Sequence, residues 1–503
     1  MGQKSIERRL ADEAATIRFG EDIGAALRPG DLVALEGDLG AGKTTFARGL
    51  IRSLAGSENL DVPSPTFTLV QVYDLRPRIY HFDLYRLSDA SELSELGLDE
   101  ALADGVALVE WPSRADQLLP QQRITITLTH DGSGRLASVD GTEDALTRTN
   151  RSLQAREFLD DIGWENARRS PLTGDASARA YETVTRIGEE PRILMNSPRL
   201  VLGPPVRDGK PYAEIAHTAQ SITAFVAIAR LLKLKGFAAP EIQAFDFDQG
   251  FALIENLGDQ NFLDADGKPV PNRYAAAASL LADMHTLKWP NQVEAAPGVV
   301  HTIPLFDRAA MQIEADLLLD WYLPAVTGTA ATDDQRREYA LAWAEAFAGL
   351  EGAEFGLMQR DFHSPNIIWR ESRRGNDRLG IVDFQDALIG PLAYDLASLA
   401  MDARVTVSPE LERQTVSAYL NARERDAAFS RAKFEEAYAI MAAQRNAKIL
   451  GIFVRLDRRD GKPAYLKHLP RIRDYLRRAL AHPSLSRLKA FTEENGVLAE
   501  HRL

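Results

Sequence analysis

Apolar residues in the first quarter of the chain occur in short runs that have the length of β-strands and end at glycine, proline or polar residues. These runs predict strands at 16–19, 32–35, 67–73, 79–86, 106–112 and 123–128. The last strand alternates between apolar and polar positions, which is typical of an edge strand. Helical spacing appears at 21–27 and again after residue 43. Alternation of strands and helices indicates an α/β sheet domain.

The pattern weakens between residues 130 and 154. Apolar residues become rare there, and turn-forming residues recur at 131–134, 140–143 and 147–150. This composition indicates a linker between domains. We therefore predict one domain at 1–140, a linker at 141–152 and a second domain at 153–503.

The second half combines strands with many helices. Paired strands are predicted at 181–187 and 192–195, and short strands at 242–247 and 251–254. Residues 222–232 have one apolar helical face, and residues 255–258 follow the last strand as a hinge. Helices then extend to the C-terminus, interrupted only around 355–383. The prediction for this half is an α+β domain in two lobes.

Length and composition restrict the function classes. A chain of 503 residues needs more than one core, and its 45% hydrophobic and 26% charged residues are typical of globular proteins. The absence of cysteine excludes disulfides and thiolate metal sites. The net charge of −13 argues against nonspecific coating of nucleic acid. We find no apolar run of membrane-spanning length and no signal-peptide pattern, so we expect a cytoplasmic protein without membrane contact.

The first candidate site follows the strand at 32–35 and fits the phosphate-binding pattern G-x-x-x-x-G-K-[ST]. Its predicted ATP-binding residues are Gly37, Asp38, Leu39, Gly40, Ala41, Gly42, Lys43, Thr44 and Thr45. Glycines allow backbone N–H groups to curve around phosphate oxygens, Lys43 reaches the β- and γ-phosphates, and the Thr44 hydroxyl faces Mg²⁺. The N-terminus of the following helix adds a positive dipole. The sequence therefore predicts an ATP and Mg²⁺ site.

Two carboxylates are predicted to complete this site. Asp83 and Glu110 each lie near the end of an apolar strand, where a phosphate-loop ATPase needs groups that hold Mg²⁺ and position water. Alternatively, Asp83 caps a turn and Glu110 pairs with Arg114. The nearby phosphate loop favours the catalytic interpretation.

The segments 36–45, 64–67, 81–86, 95–98 and 109–112 together resemble the TsaE family, the ATPases of tRNA threonylcarbamoyladenosine biosynthesis. The resemblance covers about 10–130. It implies that Lys43 and Thr44 bind phosphates and Mg²⁺, that Glu110 is a second Mg²⁺ ligand, and that Asp83 acts in hydrolysis. It also implies a switch-like loop at 64–66, and hydrolysis only on TsaB/TsaD-like partner proteins, with tRNA involved indirectly. The alternative is a module in which the nucleotide is a conformational switch.

The second candidate site lies at 355–383, the stretch that interrupts the predicted helices. Asp361 and Asn366 have the spacing D-x-x-x-x-N of a kinase catalytic loop, and Asp383 follows an apolar run, as the metal-binding Asp of kinases does. Asp361 is predicted to accept the proton of a substrate hydroxyl, while Asn366 and Asp383 hold Mg²⁺ against the phosphates. His363, within this loop, is predicted to be structural.

These motifs and the segment 390–399 resemble the aminoglycoside phosphotransferase and choline kinase superfamily, over about 155–490. The segments 174–177 and 255–259 are similar to AmgK-type sugar kinases. This resemblance implies transfer of phosphate from ATP to the anomeric hydroxyl of an amino sugar, N-acetylmuramate or N-acetylglucosamine, in cell-wall recycling. The predicted fold class is therefore α/β: an N-terminal phosphate-loop NTPase sheet domain fused to a protein-kinase-like α+β domain.

One departure concerns the strand at 192–196, which has no lysine where a kinase contacts the α- and β-phosphates. Either Arg192 or another cation compensates, or metal and backbone hold ATP. The alternatives for this half are a kinase of another small alcohol, such as an aminoglycoside or a choline-like acceptor, and a pseudokinase that serves as an interaction domain.

Overall fold

A computed structural model describes residues 5–87, 89, 92–172 and 179–500. The turn at 174–178, part of which supported the sugar-kinase resemblance, lies outside these residues. The chain forms two compact units, the first of 1–198 with 243–256 and the second of 199–242 with 257–503. The predicted domain limits at 140 and 153 stay a prediction.

The described residues form the following strands and helices. The strands are β1 Ile6–Leu10, β2 Leu32–Glu36, β3 Val70–Tyr73, β4 Arg78–Asp83, β5 Gly105–Glu110, β6 Ile124–Asp131, β7 Gly134–Asp140, β8 Arg168–Leu172, β9 Ala180–Thr185, β10 Arg192–Asn196, β11 Pro205–Arg207, β12 Lys210–Pro211, β13 Ile242–Asp246, β14 Phe251–Glu255, β15 Gln292–Ala296, β16 Val299–Thr302, β17 Phe355–Met358, β18 Ile367–Trp369, β19 Leu379–Ile381 and β20 Leu388–Pro391. The helices are α1 Glu13–Gly24, α2 Lys43–Ala55, α3 Glu92–Glu95, α4 Leu98–Asp104, α5 Glu143–Asp161, α6 Tyr212–Ile215, α7 Ile222–Leu234, α8 Pro271–His285, α9 Arg308–Leu317, α10 Leu323–Thr327, α11 Asp333–Ala348, α12 Ala393–Ala400, α13 Pro409–Arg423, α14 Arg431–Asp460, α15 Leu469–Ala479 and α16 Ser486–Glu494.

The first sheet of the first unit has the order β1-β7-β6-β2-β5-β4-β3. Strands β6, β2, β5 and β4 are parallel to one another, so the ends of β4 and β5 meet at one edge. Helices α1 and α2 pack very closely. A Cβ at Gly20 would lie 2.4 Å from the Phe46 carbonyl oxygen, and one at Gly49 would lie 2.4 Å from that of Ile17. This contact ties α1 to the helix that follows the phosphate loop.

Two predictions for this part of the chain are wrong. Residues 16–19 are helical rather than a strand, because the Asp12 side chain accepts a hydrogen bond from Ala15 N at 2.7 Å and starts α1 early. Strand β6 is not an edge strand, because β7 and β1 continue the sheet beyond it. The polar face of β6 had suggested an exposed edge.

The region predicted as a linker is largely regular. The 19-residue helix α5 begins at Glu143 and includes most of it, and the N-cap Thr142 accepts from Ala145 N at 3.3 Å. The apolar pattern is weak because several buried positions of α5 are polar, among them Thr149, Ser152 and Arg156. Arg156 pairs with Asp22 at 2.9 Å, and the Ser152 hydroxyl accepts from Arg169 at 3.2 Å, which makes the burial of these two residues tolerable. Residues 143–152 are therefore helical, and the assignment of 141–152 as the linker between domains stays a prediction.

The second sheet of this unit has the order β13-β14-β10-β9-β8. Side chains alternate between its faces. One face carries Val184, Leu194, Phe251 and Leu253, which form a core with α5 residues that include Phe158. Helix α5 therefore covers one face of a sheet that follows it in the chain.

The second unit is mainly helical, and its central helix α14 has 30 residues. Two small antiparallel ladders, β17 with β20 and β18 with β19, lie within it. The loop between β17 and β18 carries Asp361, and Asp383 follows β19 by two residues. Through the whole described part of the chain, no helix has the length and apolar character needed to cross a bilayer.

Candidate active sites

The first site surrounds the loop between β2 and α2. Gly42 is the N-cap of α2 with φ of 105°, a conformation that suits glycine. The Lys43 ammonium donates to the carbonyls of Gly37 at 2.6 Å and Asp38 at 3.0 Å, and lies 3.6 Å from the centre of the Trp111 ring. Burial lowers the pKa of Lys43, and the charges of Glu110, Asp83 and Asp38 oppose that shift. These contacts hold the Lys43 side chain over the loop.

Glu110 lies next to the phosphate loop, at the end of β5. The Thr44 hydroxyl donates to one of its carboxylate oxygens at 3.0 Å, and His81 Nε2 lies 3.0 Å from the other. Arg114, the predicted alternative partner, instead has its guanidinium 5.8 Å from the centre of the Tyr85 ring. Glu110 and His81 are both buried. This arrangement fixes the carboxylate beside the hydroxyl that would face a metal ion.

Asp83 pairs with Glu110 across the parallel β4–β5 ladder, so the two carboxylates lie at the same sheet edge. The hydroxyls of Ser64 and Thr66 both donate to one Asp83 oxygen, Thr66 at 2.8 Å, and Tyr85 N donates to the other at 3.0 Å. The Tyr85 contact is the predicted turn cap. The hydroxyls of Ser64 and Thr66 also connect the 64–66 loop to Asp83.

The residues of this site fit Mg²⁺. No group of three or more His, Cys, Asp or Glu side chains suited to metal binding occurs among the residues that the structure describes. Mg²⁺ does not need such a cage, because it usually takes one or two carboxylates or hydroxyls together with substrate phosphates and water. Thr44 and Glu110 supply oxygen ligands of this kind.

In the second unit, the structure brings the three residues predicted for the second site close together. The Asn366 amide donates to the Asp361 backbone carbonyl at 2.9 Å and lies 3.4 Å from an Asp383 carboxylate oxygen. Arg360 and Asp383 adopt φ values of 72° and 58°, which are unusual for residues with side chains. Asn366 and Asp383 provide oxygen atoms that suit Mg²⁺ bound to ATP.

The electrostatics around Asp361 favour its ionised form. Burial alone would raise the pKa of Asp361, but the charges of Lys448, Arg445 and Arg360 lower it overall. Burial also lowers the pKa of His363, so the neutral ring is favoured. Its Nε2 lies 3.4 Å from the Asn366 amide, and the structural role of His363 stays a prediction. A proton-accepting carboxylate is therefore available at neutral pH.

Several supporting residues were not predicted. Asp395 accepts hydrogen bonds from the backbone N–H of Gln359 at 2.6 Å and Arg360 at 2.9 Å, which hold the catalytic loop. The buried Glu314 pairs with Arg360, and with Lys448 at 2.7 Å. Asp395 lies in the segment 390–399, which supported the phosphotransferase resemblance. Glu314 and Lys448 lie on α9 and α14, which carry no sequence motif.

Arg192 is the first residue of β10, in the first unit. It shares a face of β10 with Leu194, and Leu194 packs in the core that α5 covers. The opposite face of β10 carries Ile193 and Met195. Compensation by Arg192 stays a prediction.

Comparison with known proteins gives two separate matches. Residues 10–137 match the family described as "Threonylcarbamoyl adenosine biosynthesis protein TsaE", and residues 168–429 match the "Phosphotransferase enzyme family". A tRNA threonylcarbamoyladenosine biosynthesis protein TsaE from Rickettsia bellii is 44% identical over 24% of this chain and 83% of its own length. An N-acetylmuramate/N-acetylglucosamine kinase from Caulobacter vibrioides is 35% identical over 68% of this chain and 96% of its own length. One from Pseudomonas aeruginosa is 31% identical over 63% of this chain and 86% of its own length.

Proposed function

Because the chain belongs to the TsaE family in its first part and to the phosphotransferase enzyme family in its second, we propose that it is a bifunctional fusion enzyme. The first part hydrolyses ATP for tRNA threonylcarbamoyladenosine formation. The second part phosphorylates N-acetylmuramate and N-acetylglucosamine. The observation that carries the second proposal is the Asp361–Asn366–Asp383 arrangement in a chain 35% identical to a kinase named for these sugars.

ATP with Mg²⁺ is the proposed cofactor of both sites. At the first site, the phosphate loop and Lys43 bind the phosphates. Thr44 and Glu110 would hold the metal, and Asp83 orients the attacking water. Breakage of the β–γ phosphoanhydride bond then gives ADP and phosphate. Magnesium, when bound, neutralises charge on the phosphates. The hydrogen bonds of Ser64 and Thr66 to Asp83 let the 64–66 loop respond to the state of the site.

Partner proteins of the TsaB/TsaD type are proposed for the first part, with tRNA involved indirectly. Leu39 and Phe67 are large apolar residues that are 78% and 82% exposed. Leu39 lies within the phosphate loop, and Phe67 directly follows the 64–66 loop in the sequence. Exposed apolar side chains of this size are typical of protein interaction sites. A partner on this face would exclude water from the nucleotide.

In the second site, Asp361 accepts the proton of the anomeric hydroxyl as its oxygen attacks the γ-phosphorus. The bond from that phosphorus to the β–γ bridging oxygen breaks, and ADP leaves. The products are a sugar 1-phosphate and ADP. Asn366 and Asp383 hold the metal that ATP brings, and Asp395 keeps the loop backbone in place.

The proposal for the second part predicts that the purified full-length chain transfers phosphate from ATP to both sugars. Phosphorus NMR and mass spectrometry of the product should identify the sugar 1-phosphate. Choline and an aminoglycoside serve as control acceptors, because a kinase of amino alcohols would prefer them. Transfer to a control acceptor but to neither sugar would refute the substrate assignment.

The proposal for the first part predicts that Lys43→Ala lowers ATP hydrolysis by about tenfold or more, because a charge-assisted contact to phosphate contributes about 1.5–3 kcal/mol. Hydrolysis is measured with TsaB/TsaD-like proteins present and absent. Lys462→Ala, which removes an exposed lysine of the second unit, is the matched control. Sugar phosphorylation should survive Lys43→Ala. Hydrolysis unchanged by this substitution would contradict the assignment of the first site.

A further inference from the structure

Arg360, the residue before Asp361, has a backbone conformation that residues with side chains rarely adopt. Its φ is 72°, and Asp361 N donates to the Gln359 carbonyl at 2.9 Å across it. This hydrogen bond closes a three-residue γ-turn, and the positive φ is that of its rare, strained form. Glycine adopts such a φ without strain, whereas a residue with a Cβ does not. Surrounding contacts must therefore hold the turn in place.

The turn matters because it decides where the Asp361 carboxylate points. Among the residues that the structure describes, none donates a hydrogen bond to that carboxylate. The contacts of this part of the loop go to the backbone instead: the Asn366 amide and His363 N donate to the Asp361 carbonyl at 2.9 Å and 3.0 Å. The Asp361 side chain therefore takes its direction from the backbone that carries it.

Glu314 on α9 holds the far end of the Arg360 side chain. Both residues are buried, and a guanidinium nitrogen of Arg360 donates to one Glu314 oxygen. Lys448 lies 2.7 Å from the same oxygen, and the Gln444 amide donates to the other at 3.1 Å. Burial opposes ionisation of Glu314, but the charges of Arg360 and Lys448 lower its pKa to about 2. The carboxylate is therefore ionised and held at both oxygens.

Two contacts on opposite sides of one rotatable bond oppose relaxation of the turn. Asp395 accepts from the backbone N–H of Arg360 at 2.9 Å and holds the part of the turn before the N–Cα bond. Rotation about that bond to a negative φ would move the Arg360 side chain and Asp361 together, because both lie beyond it. Since Glu314 holds the guanidinium, the ion pair opposes this rotation.

We propose that Glu314 is a positioning residue for Asp361. By holding Arg360 in the strained turn, it directs the Asp361 carboxylate toward the acceptor hydroxyl. The inference rests on the proposed sugar-kinase function. Glu314 itself is buried and its oxygens are bound by protein groups, so it acts through Arg360 and not on the sugar.

The first test compares Arg360→Gly with Arg360→Ala in steady-state transfer to N-acetylglucosamine. Both substitutions remove the ion pair, but only glycine adopts the positive φ without strain. We expect kcat to fall in both, and to stay about fivefold or more higher in the glycine variant. KM for ATP should differ less than about twofold between them, because the turn does not bind the nucleotide. Arg425→Ala, at an exposed arginine, is the control and should match the wild-type chain. Equal kcat in the glycine and alanine variants would overturn the role of the turn.

The second test introduces Glu314→Gln into the wild-type chain and into Arg360→Gly. If Glu314 acts through Arg360, it should lower kcat about tenfold in the wild-type chain and less than about threefold in Arg360→Gly. Lys448, which Glu314 also binds, is one of the cations that lower the pKa of Asp361. An effect through Lys448 would persist in Arg360→Gly, so equal losses in the two backgrounds would overturn the positioning role.

Circular dichroism and the unfolding midpoint show whether each variant is folded. If Glu314→Gln does not fold, the comparison of Arg360→Gly with Arg360→Ala decides. Transfer by the wild-type chain with equal kcat in those two variants would refute the positioning alone. Absence of transfer by the wild-type chain would refute the proposed function itself, and this inference with it.

Discussion

Substitution of Asp361 by asparagine is expected to reduce sugar phosphorylation by about 10²–10⁴-fold, the range over which a positioned general base contributes to a rate. Asparagine keeps the shape of the side chain but cannot accept the proton of the anomeric hydroxyl. The pKa of Asp361 lies below its ordinary value, because neighbouring cations outweigh the effect of burial. The wild-type residue is therefore ionised throughout the neutral pH range.

The loop geometry should survive this substitution, so the loss can be assigned to proton transfer. Asn366 donates to the backbone carbonyl of Asp361 at 2.9 Å and not to its side chain. Asp395 holds the backbone N–H groups of Gln359 and Arg360. Both contacts remain in Asp361→Asn. We therefore expect a fall in kcat with KM for ATP little changed.

Single-turnover transfer to N-acetylglucosamine is the measurement that isolates the chemical step. Asp377→Asn, at an exposed acidic residue, is the matched control and should transfer phosphate at the wild-type rate. ATP hydrolysis at the first site should be the same in all three proteins. Transfer by Asp361→Asn within about tenfold of wild type would show that another group accepts the proton.

The parts of both sites that could be predicted from the sequence are local. The phosphate loop is continuous in the chain, and its spacing follows from how glycine, lysine and threonine bind phosphate. Asp83 and Glu110 could be found because strand ends of a parallel sheet meet at one edge. The structure places both at that edge, and their roles in hydrolysis and metal binding stay predictions.

The contacts that hold the catalytic loop could not be predicted in the same way. Glu314 lies on α9 and Lys448 on α14, and the two side chains meet at 2.7 Å only after folding. Helix α5 was missed for a related reason. It is stabilised by buried ion pairs to distant residues, and hydrophobic periodicity does not detect such partners.

Within the first unit, the buried ion pairs of α5 connect the segment that matches the TsaE family to the segment that matches the phosphotransferase family. Asp22 on α1 lies 2.9 Å from a nitrogen of Arg156 on α5 and 2.7 Å from one of Arg169 on β8. Arg169 also pairs with Glu182 on β9 at 2.7 Å. All four residues are buried. The network therefore connects a helix of the ATPase segment to two strands of the phosphotransferase segment.

We expect Asp22→Asn to lower the free energy of unfolding by about 3–5 kcal/mol, because the two buried arginines of the network lose one of their compensating negative charges in a medium of low polarity. The matched control is Glu157→Gln, on α5, whose carboxylate is 53% exposed and pairs with Arg8 at 2.5 Å. An exposed pair contributes about 0–1 kcal/mol, so this control should unfold like the wild-type chain.

The same substitution decides whether the two activities depend on one folded unit. Asp22 lies in the segment that matches the TsaE family, whereas the proposed sugar phosphorylation is assigned to the segment that matches the phosphotransferase family. If α1, α5, β8 and β9 unfold together, Asp22→Asn lowers the temperature of half-inactivation of both activities by the same amount. Each activity is measured after heating samples of the same protein. A fall confined to ATP hydrolysis would mean that β8 and β9 keep their structure without α1, and the buried network would then be a contact between independently stable domains.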